Sequence, residues 1–396
     1  MSFFVSLVTL NCWAIAQPWP FGSKDRKERL KRLVDALEES DYDIVTLQEI
    51  WSEKDFDKIS TNLAHVYPYS HYFHSGFTGS GTCILSKYMI VSTLVHRYSL
   101  NGFAHHIHRG DWFGGKVVGL AELNVKGLRV AIYTTHLHAE YNRDNDLYLP
   151  HRISQAFELA QFLDHTSRSS DFVILTGDFN IEPEDLGYHI IAKIANLEDA
   201  WLKRPSTHGS NDNGMTCDRP DNCYTSKHQL KRWPEGKRID YIMYQSGKKH
   251  IELVECLTCL DKIPGSKLNY SDHIGLHAKF TISTDNSFDT VECAPHGVSA
   301  KNCLLRSLEI LEEGEVRALW DRRIFLAACF LLFALIVATL GIEAYFPYFT
   351  LLGALMRFGF TLIIAFCLWH GFIGLTIEMK ALKETKSTMR ELLKKL

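Results

Sequence analysis

The chain has 396 residues, 46% of them hydrophobic and 22% charged, which supplies material for a sizeable buried core and excludes a disordered or low-complexity protein. Its formal net charge is −3, and residues 1–285 carry 31 Lys and Arg against 35 Asp and Glu. The basic surplus that a nucleic-acid track demands is therefore missing, and no nucleic acid is expected as a partner. The length exceeds one typical domain and falls short of two large ones, so it predicts one globular unit with an appendage.

Met1 to Leu10 is apolar, but no basic region precedes it and no small-residue cleavage site follows, so Phe3–Leu10 reads as a buried first strand and not as a signal peptide. Leu30, Leu33, Val34 and Leu37 form one face of a helix. Strands are expected at Ile44–Gln48, Thr82–Ser86, Lys116–Leu123 and Leu128–Thr134. Ile153, Ala156, Phe157 and Ala160 mark a second helix, and strands follow at Phe172–Thr176, Arg238–Tyr244 and Ile274–Phe280. With more strands than helices, residues 1–285 are expected to form an α/β domain, a two-sheet β-sandwich flanked by helices and not a single doubly wound sheet. Cys256 and Cys259 are close in sequence, but no second pair completes a zinc site, so the cysteines are expected reduced and this pair partly buried in the run Ile251–Leu260.

Composition changes near residue 324. Ile324–Ile342 is a 19-residue run without a charge, and Phe358–Ile377 is a run of 20 in which His370 is the sole ionisable group. At about 1.5 Å per residue each spans the roughly 30 Å of a bilayer core. Residues 324–342 and 354–377 thus read as transmembrane helices, 286–323 as a linker and juxtamembrane helix, and 378–396 as a basic amphipathic tail. Arg322 and Arg323 precede the first run and Lys380, Lys383, Lys386, Arg390, Lys394 and Lys395 follow the second, which places both flanks and the domain itself in the cytosol. Met389, Leu392, Leu393 and Leu396 form an apolar stripe of a basic amphipathic helix that lies on an anionic leaflet, or else the segment is a solvated coil or a helix paired with Leu304–Leu319. On this reading, deleting residues 321–396 spares activity on detergent-dispersed lipid and weakens it on vesicles. The two helices also offer a surface for a homodimer.

Polar residues recur at the ends of the apolar strands: Asn11, Glu49, His136, and Asp178 with Asn180, while Asp240 lies within the next strand and Asp272-His273 precedes the last. The set holds carboxylates, amides and two histidines but no cysteine, so a hard cation held by oxygen, Mg2+, is the expected cofactor. Histidine titrates near neutrality and suits a general base, with Asp240 or Asp272 as the acid that orients it. His105, His106 and His108 together with His136 and His138 lack the spacing of a zinc site.

The succession Leu-Asn-Cys-Trp (10–13), Leu-Gln-Glu-Ile-Trp (47–51), Thr-His-Leu-His-Ala-Glu-Tyr (135–141), Gly-Asp-Phe-Asn (177–180), Arg-Ile-Asp-Tyr (238–241) and Ser-Asp-His (271–273) resembles the endonuclease/exonuclease/phosphatase superfamily. Gly79-Ser80-Gly81, the run His108 to Phe113 and the run His136 to Tyr141, followed by two membrane helices, are similar to the neutral sphingomyelinases of the smaller type with a C-terminal membrane hairpin. The resemblance covers nearly the whole chain. It implies a DNase I-like sandwich and Mg2+-dependent, phospholipase C-type hydrolysis of sphingomyelin, or a related phosphosphingolipid, to ceramide and phosphocholine. Glu49 would be the main magnesium ligand with Asn11 beside it, and His273 the general base. Asp178 and Asn180 would orient water and phosphate, His136 would stabilise the pentavalent phosphate, and Asp240 and Asp272 would support the histidines. Asp111 and Lys116, five apart, fit a switch that admits substrate. The resemblance also implies a membrane sphingolipid substrate at the endoplasmic reticulum or nuclear envelope. A magnesium-dependent nuclease of the abasic-site type shares the constellation, but the acidic balance and the membrane runs argue against it.

Overall fold

The computed structural model describes residues 2–17, 21–205, 212–287 and 298–396. In chain order the elements are β1 (Ser2–Asn11), α1 (Arg26–Glu38), β2 (Ile44–Gln48), α2 (Glu53–Asn62), β3 (Tyr69–Tyr72), β4 (Cys83–Ser86), β5 (Met89–Arg97), α3 (Asp111–Gly114), β6 (Val117–Val125), β7 (Leu128–His136), α4 (Leu149–Thr166) and β8 (Phe172–Asp178). These are followed by α5 (Leu186–Ile194), β9 (Glu198–Asp199), α6 (Ala200–Lys203), α7 (Lys227–Arg232), β10 (Asp240–Ser246), β11 (Lys249–Cys259), β12 (Gly275–Ser287), α8 (Val298–Tyr345), α9 (Thr350–Trp369) and α10 (Leu375–Leu393).

The strands form two six-stranded sheets, ordered β11-β12-β1-β2-β4-β3 and β5-β6-β7-β8-β10-β9. The period-two geometry of a strand decides what lies where. Val5 and Leu7 of β1 point into the layer between the sheets, where they join Ile44, Ile84, Ile132, Ile174 and Ile242. Val8 and Leu10 point outward and meet Leu30, Leu33 and Leu37 of α1. On the far face of the second sheet, α4 and α5 cover Tyr133, Val173, Leu175 and Met243. The result is the expected two-sheet sandwich flanked by helices. Near the ends of β1, β2, β7 and β8 the layer between the sheets turns polar: the Thr46 and Thr176 hydroxyls lie 2.9 Å apart, and Gln48 Nε2 donates to Thr134 Oγ1 at 3.2 Å. Buried polar groups persist there because they are paired. They floor the site described below.

Four strands left no expected signal. Strand β5 exposes Met89, Val91, Leu94 and Val95 at the sheet edge, so its pattern does not alternate, and β9 has only two residues. Strand β3 is short and polar, and β11 occupies the apolar-rich run from Ile251 up to Cys259, with Cys256 buried and Cys259 half-buried. The nine described cysteines are all free thiols.

Two helices are long and apolar enough to cross a membrane, Ser299–Tyr345 and Pro347–Leu393, with mean hydropathies of 2.7 and 2.1. Helix α8 is continuous for 48 residues through the segment read as linker and juxtamembrane helix. Its first part buries Leu304 and Leu311 in the α4–α5 core, whereas beyond Ile324 large apolar side chains such as Phe330, Leu331 and Phe333 are exposed. Helix α10 returns along α8 and α4. Leu382 and Met389 are fully buried in the same core, with Leu392, Leu393 and Leu396 packed against it, and Lys383 Nζ lies 3.2 Å from Glu315. The C-terminal stripe therefore pairs with the Leu304–Leu319 segment instead of facing lipid.

This packing argues against the expectation that residues 321–396 are dispensable in detergent. Removing them strips Leu375, Leu382 and Met389 out of buried positions, and each such loss costs about 2–5 kcal/mol. A chain ending at residue 320 is expected to melt many degrees lower and to lose activity on micelles and vesicles alike. A thermal denaturation series against the full chain checks this, and an unchanged melting temperature would refute it.

Candidate active site

Parallel β1 and β2 end at one edge of the sandwich, and so do parallel β7 and β8 of the other sheet. Antiparallel β10 and β12 begin at that same edge. Topology alone thus gathers Asn11, Glu49, His136, Asp178, Asp240 and His273. Glu49 adopts a left-handed φ of 58°, a strained choice for a residue with a side chain, and Gly81 backs it so closely that an added Cβ would lie 3.1 Å from Glu49 Cα. The Gly79-x-Gly81 turn therefore serves the site by leaving room behind Glu49. Gly177 has φ 132°, and an added Cβ would collide with Thr135 O at 2.0 Å, so glycine is required where β8 passes β7 ahead of Asp178.

Asn11 Nδ2 donates to Glu49 Oε1 at 3.0 Å and to Asp178 Oδ2 at 2.8 Å, drawing two carboxylates together. His136 Nε2 faces the same oxygens, 3.8 Å from Glu49 Oε1 and 3.5 Å from Asp178 Oδ2. Trp51 Nε1 donates to the other Glu49 oxygen at 3.3 Å. Burial first, then the charge of Asp240, pushes Asp178 up to about 7. Closely set carboxylates in a buried place repel one another, and a cation relieves that repulsion. The converging carboxylate oxygens of Glu49 and Asp178 fit a magnesium ion, with His136 beside them, and buried Asp240 Oδ1 has no hydrogen-bond partner among the described residues.

His273 Nδ1 is 2.8 Å from Asp240 Oδ2, and its Nε2 faces Asp178 Oδ2 at 3.9 Å. Burial disfavours the imidazolium, but Cys217 and Asp240 outweigh it and hold His273 well above its ordinary value. Because burial also pushes the Cys217 thiol up to about 11, that thiol is uncharged near neutrality, and the effective pull is that of Asp240. Proton abstraction requires the neutral ring, and a divalent charge on the neighbouring carboxylates favours that form by repelling the imidazolium.

Lys116 was expected only at a switch, yet its ammonium lies in the site. It is 2.8 Å from His136 Nε2 and 3.6 Å from Asp111 Oδ1, with the side chain almost fully buried. Burial and then Lys116 drive His136 well below its ordinary value, so this ring is neutral. Asp111 also accepts from the Tyr141 hydroxyl and faces His138 Nε2 at 3.8 Å. Burial raises the Asp111 carboxyl, but His138, Lys116 and Tyr141 more than offset this and leave it lowered.

Two further expected residues lie in the site with these contacts. Asp272 makes no hydrogen bond to either histidine among the described residues; it accepts from Ser271 Oγ at 3.1 Å, while the charge of His273 still acts on its buried carboxyl. Asn180 donates to Leu137 O at 3.0 Å and to Asp178 Oδ2 at 3.4 Å, so its amide braces Asp178. Sequence reasoning missed Arg29 altogether. It is buried and donates to Cys12 O at 2.8 Å, Trp13 O at 2.7 Å and Tyr270 O at 2.9 Å, stapling the segment after Asn11 to the one before His273. Nothing distinguishes it in a helix with several other basic residues.

The profile of the Endonuclease/Exonuclease/phosphatase family matches residues 8–273. A Caenorhabditis elegans protein named putative neutral sphingomyelinase is 50% identical over 399 residues, covering 98% of this chain and 90% of its own length. Human sphingomyelin phosphodiesterase 2 is 46% identical over 240 residues, covering 61% of this chain and 55% of its own. Among solved structures, a beta toxin variant from Staphylococcus aureus with bound magnesium ions aligns at TM-score 0.51 and 19% identity over 70% of this chain and 99% of its own, a likeness of fold. The chain belongs to the endonuclease/exonuclease/phosphatase family and, within it, to the neutral sphingomyelinases.

Proposed function

We propose that this chain is a magnesium-dependent sphingomyelin phosphodiesterase that cleaves its lipid to ceramide and phosphocholine at a membrane in which α8 and α9 anchor it. The carrying observation is the opposition of His273, fixed on Asp240 at 2.8 Å, to the Asn11–Glu49–Asp178 cluster. Its 50% identity to a relative named for sphingomyelin cleavage supports the substrate. A magnesium ion held by Glu49, with Asn11 and Asp178 beside it, would neutralise the phosphodiester and polarise its phosphorus toward attack. His273 Nε2 accepts the proton of the attacking water while Asp240 stabilises the imidazolium that results. Lys116, set against neutral His136, offers a fixed positive charge and donor hydrogens to the phosphate oxygens. Asn180 keeps Asp178 oriented. The water oxygen bonds to phosphorus, the bond to the ceramide oxygen breaks, and that oxygen takes up one proton, balancing the one passed to His273, and leaves as the alcohol.

The arginines before Ile324 and the lysines after Ile377 favour a multi-pass chain with its domain in the cytosol, and the resemblance to the neutral sphingomyelinases implies the endoplasmic reticulum or nuclear envelope. A panel of choline, ethanolamine and inositol sphingolipids and lysophospholipids, assayed with magnesium, tests the reading. Release of phosphocholine from sphingomyelin above all others is expected. Release of a different phosphoester in preference would reassign the substrate.

A further inference from the structure

The segment Gly102–Gly115 carries Asp111 and closes one side of the site. It is held from outside by the hairpin at three places. At its start, Gly102 N donates to His151 Nδ1 at 3.1 Å, and His151 Nε2 lies 3.4 Å from Glu378 of α10. In its middle, His105 Nδ1 is 3.0 Å from His370 Nε2. Near its end, the Trp112 ring meets Trp369 edge-on at 6.0 Å.

His370 sits where the second apolar helix is irregular. Residues His370–Gly374 form a π turn between α9 and α10, a rare form found mostly at functional sites. A side chain on Gly374 would come within 2.7 Å of His370 Nδ1, so glycine makes room for the ring. The ring is buried, stacked on Phe366 at 5.7 Å and edge-on to Phe325 at 4.7 Å, and its Nδ1 has no hydrogen-bond partner among the described residues. A polar ring kept in an apolar helix is costly unless it serves a purpose. Its one described hydrogen bond goes to His105, on the segment that carries Asp111. An anchor alone has no need of a π turn, a room-making glycine and a buried imidazole.

We infer that His370 is a positioning residue for catalysis: through His105 it holds the Gly102–Gly115 segment so that Asp111 places Lys116 against His136. The inference rests on the proposed hydrolysis and adds the hairpin to the working parts of the site. Asp111 lies six residues beyond His105 on that segment and touches both Lys116 and Tyr141.

The test uses the full chain in detergent micelles with sphingomyelin and magnesium, so that membrane recruitment does not enter. His370→Phe keeps the ring volume and loses the hydrogen bond. It is expected to lower kcat about ten- to hundredfold with KM nearly unchanged, since small misplacements of reacting groups carry penalties of this size. His370→Gln, whose amide reaches the place of Nε2, is expected to restore most of the rate. His105→Phe should match His370→Phe, and the double variant should be no worse than either single one, as expected for two ends of one contact. Amide hydrogen exchange should quicken in residues 102–115 and stay unchanged in β1, β2 and β8. Full kcat and unaltered exchange in His370→Phe would overturn the inference. So would additive losses, or faster exchange across the whole domain, which would mark a general packing role. Failure of the parent chain to release phosphocholine would instead reject the hydrolysis reading on which the inference rests.

Discussion

His273→Ala is expected to lower sphingomyelin turnover by about two to four orders of magnitude, the usual worth of a general base, while the fold is retained. The side chain lies at the edge of the sandwich with Nδ1 committed to Asp240 at 2.8 Å, leaving Nε2 as the atom that takes a proton. Asp240→Asn offers a graded counterpart. It keeps the hydrogen-bonding shape and removes the charge that raises His273 against the opposing effect of burial. Without that charge the ring is neutral at lower pH, so the acidic limb of the kcat/KM profile should move down in pH as the maximal rate falls. Rates measured across pH for both variants decide the matter. Near-normal turnover in His273→Ala would remove the base from the mechanism.

Glu49→Gln is expected to cost about two to three orders of magnitude with magnesium present, because one anionic ligand is exchanged for a neutral one where negative charge must be gathered around a cation. Chelation should abolish turnover in the parent chain, and added magnesium should restore it. The dependence on magnesium should itself vary with pH. Burial and Asp240 lift the Asp178 carboxyl to about 7, so below that pH a proton occupies the oxygen that the ion needs. The sign follows directly: acidification weakens magnesium activation. The half-activating concentration is expected to be about tenfold higher at pH 6 than at pH 8, as one competing proton dictates. A constant value across that range would mean that Asp178 is not among the groups the ion displaces a proton from.

The site was legible in the sequence to the extent that topology builds it. Asn11, Glu49, His136 and Asp178 each follow an apolar run, and runs that end at one edge of a sandwich bring their following residues together. The inner strands were legible for the same reason, since burial on both faces leaves long apolar stretches such as Phe172–Thr176. Edge strands were not, because β5 shows apolar residues to solvent and β3 is polar. Lys116 was found by its spacing from Asp111, yet its approach to His136 depends on β6 lying beside β7, a pairing that no spacing displays. Asp272 was read from its place beside His273; the structure gives it a hydrogen bond from Ser271 and leaves its support of His273 to charge alone. The hairpin was visible as two uncharged runs. The pairing of its C-terminal stripe with Leu304–Leu319 was one of two open readings, but the burial of both in the α4–α5 core was not legible, because Leu304, Leu311, Leu382 and Met389 join it only once α10 turns back.

The unbroken course of α8 has a consequence for where the enzyme can work. At about 1.5 Å per residue, its 48 residues form a strut far longer than a bilayer is thick, and it is clamped to the domain by a core and not by a flexible tether. Such a strut fixes the height and tilt of the cleft above the surface that holds it. With α8 spanning a bilayer as proposed, turnover is expected on lipids of the enzyme's own leaflet and not on those of an apposed vesicle.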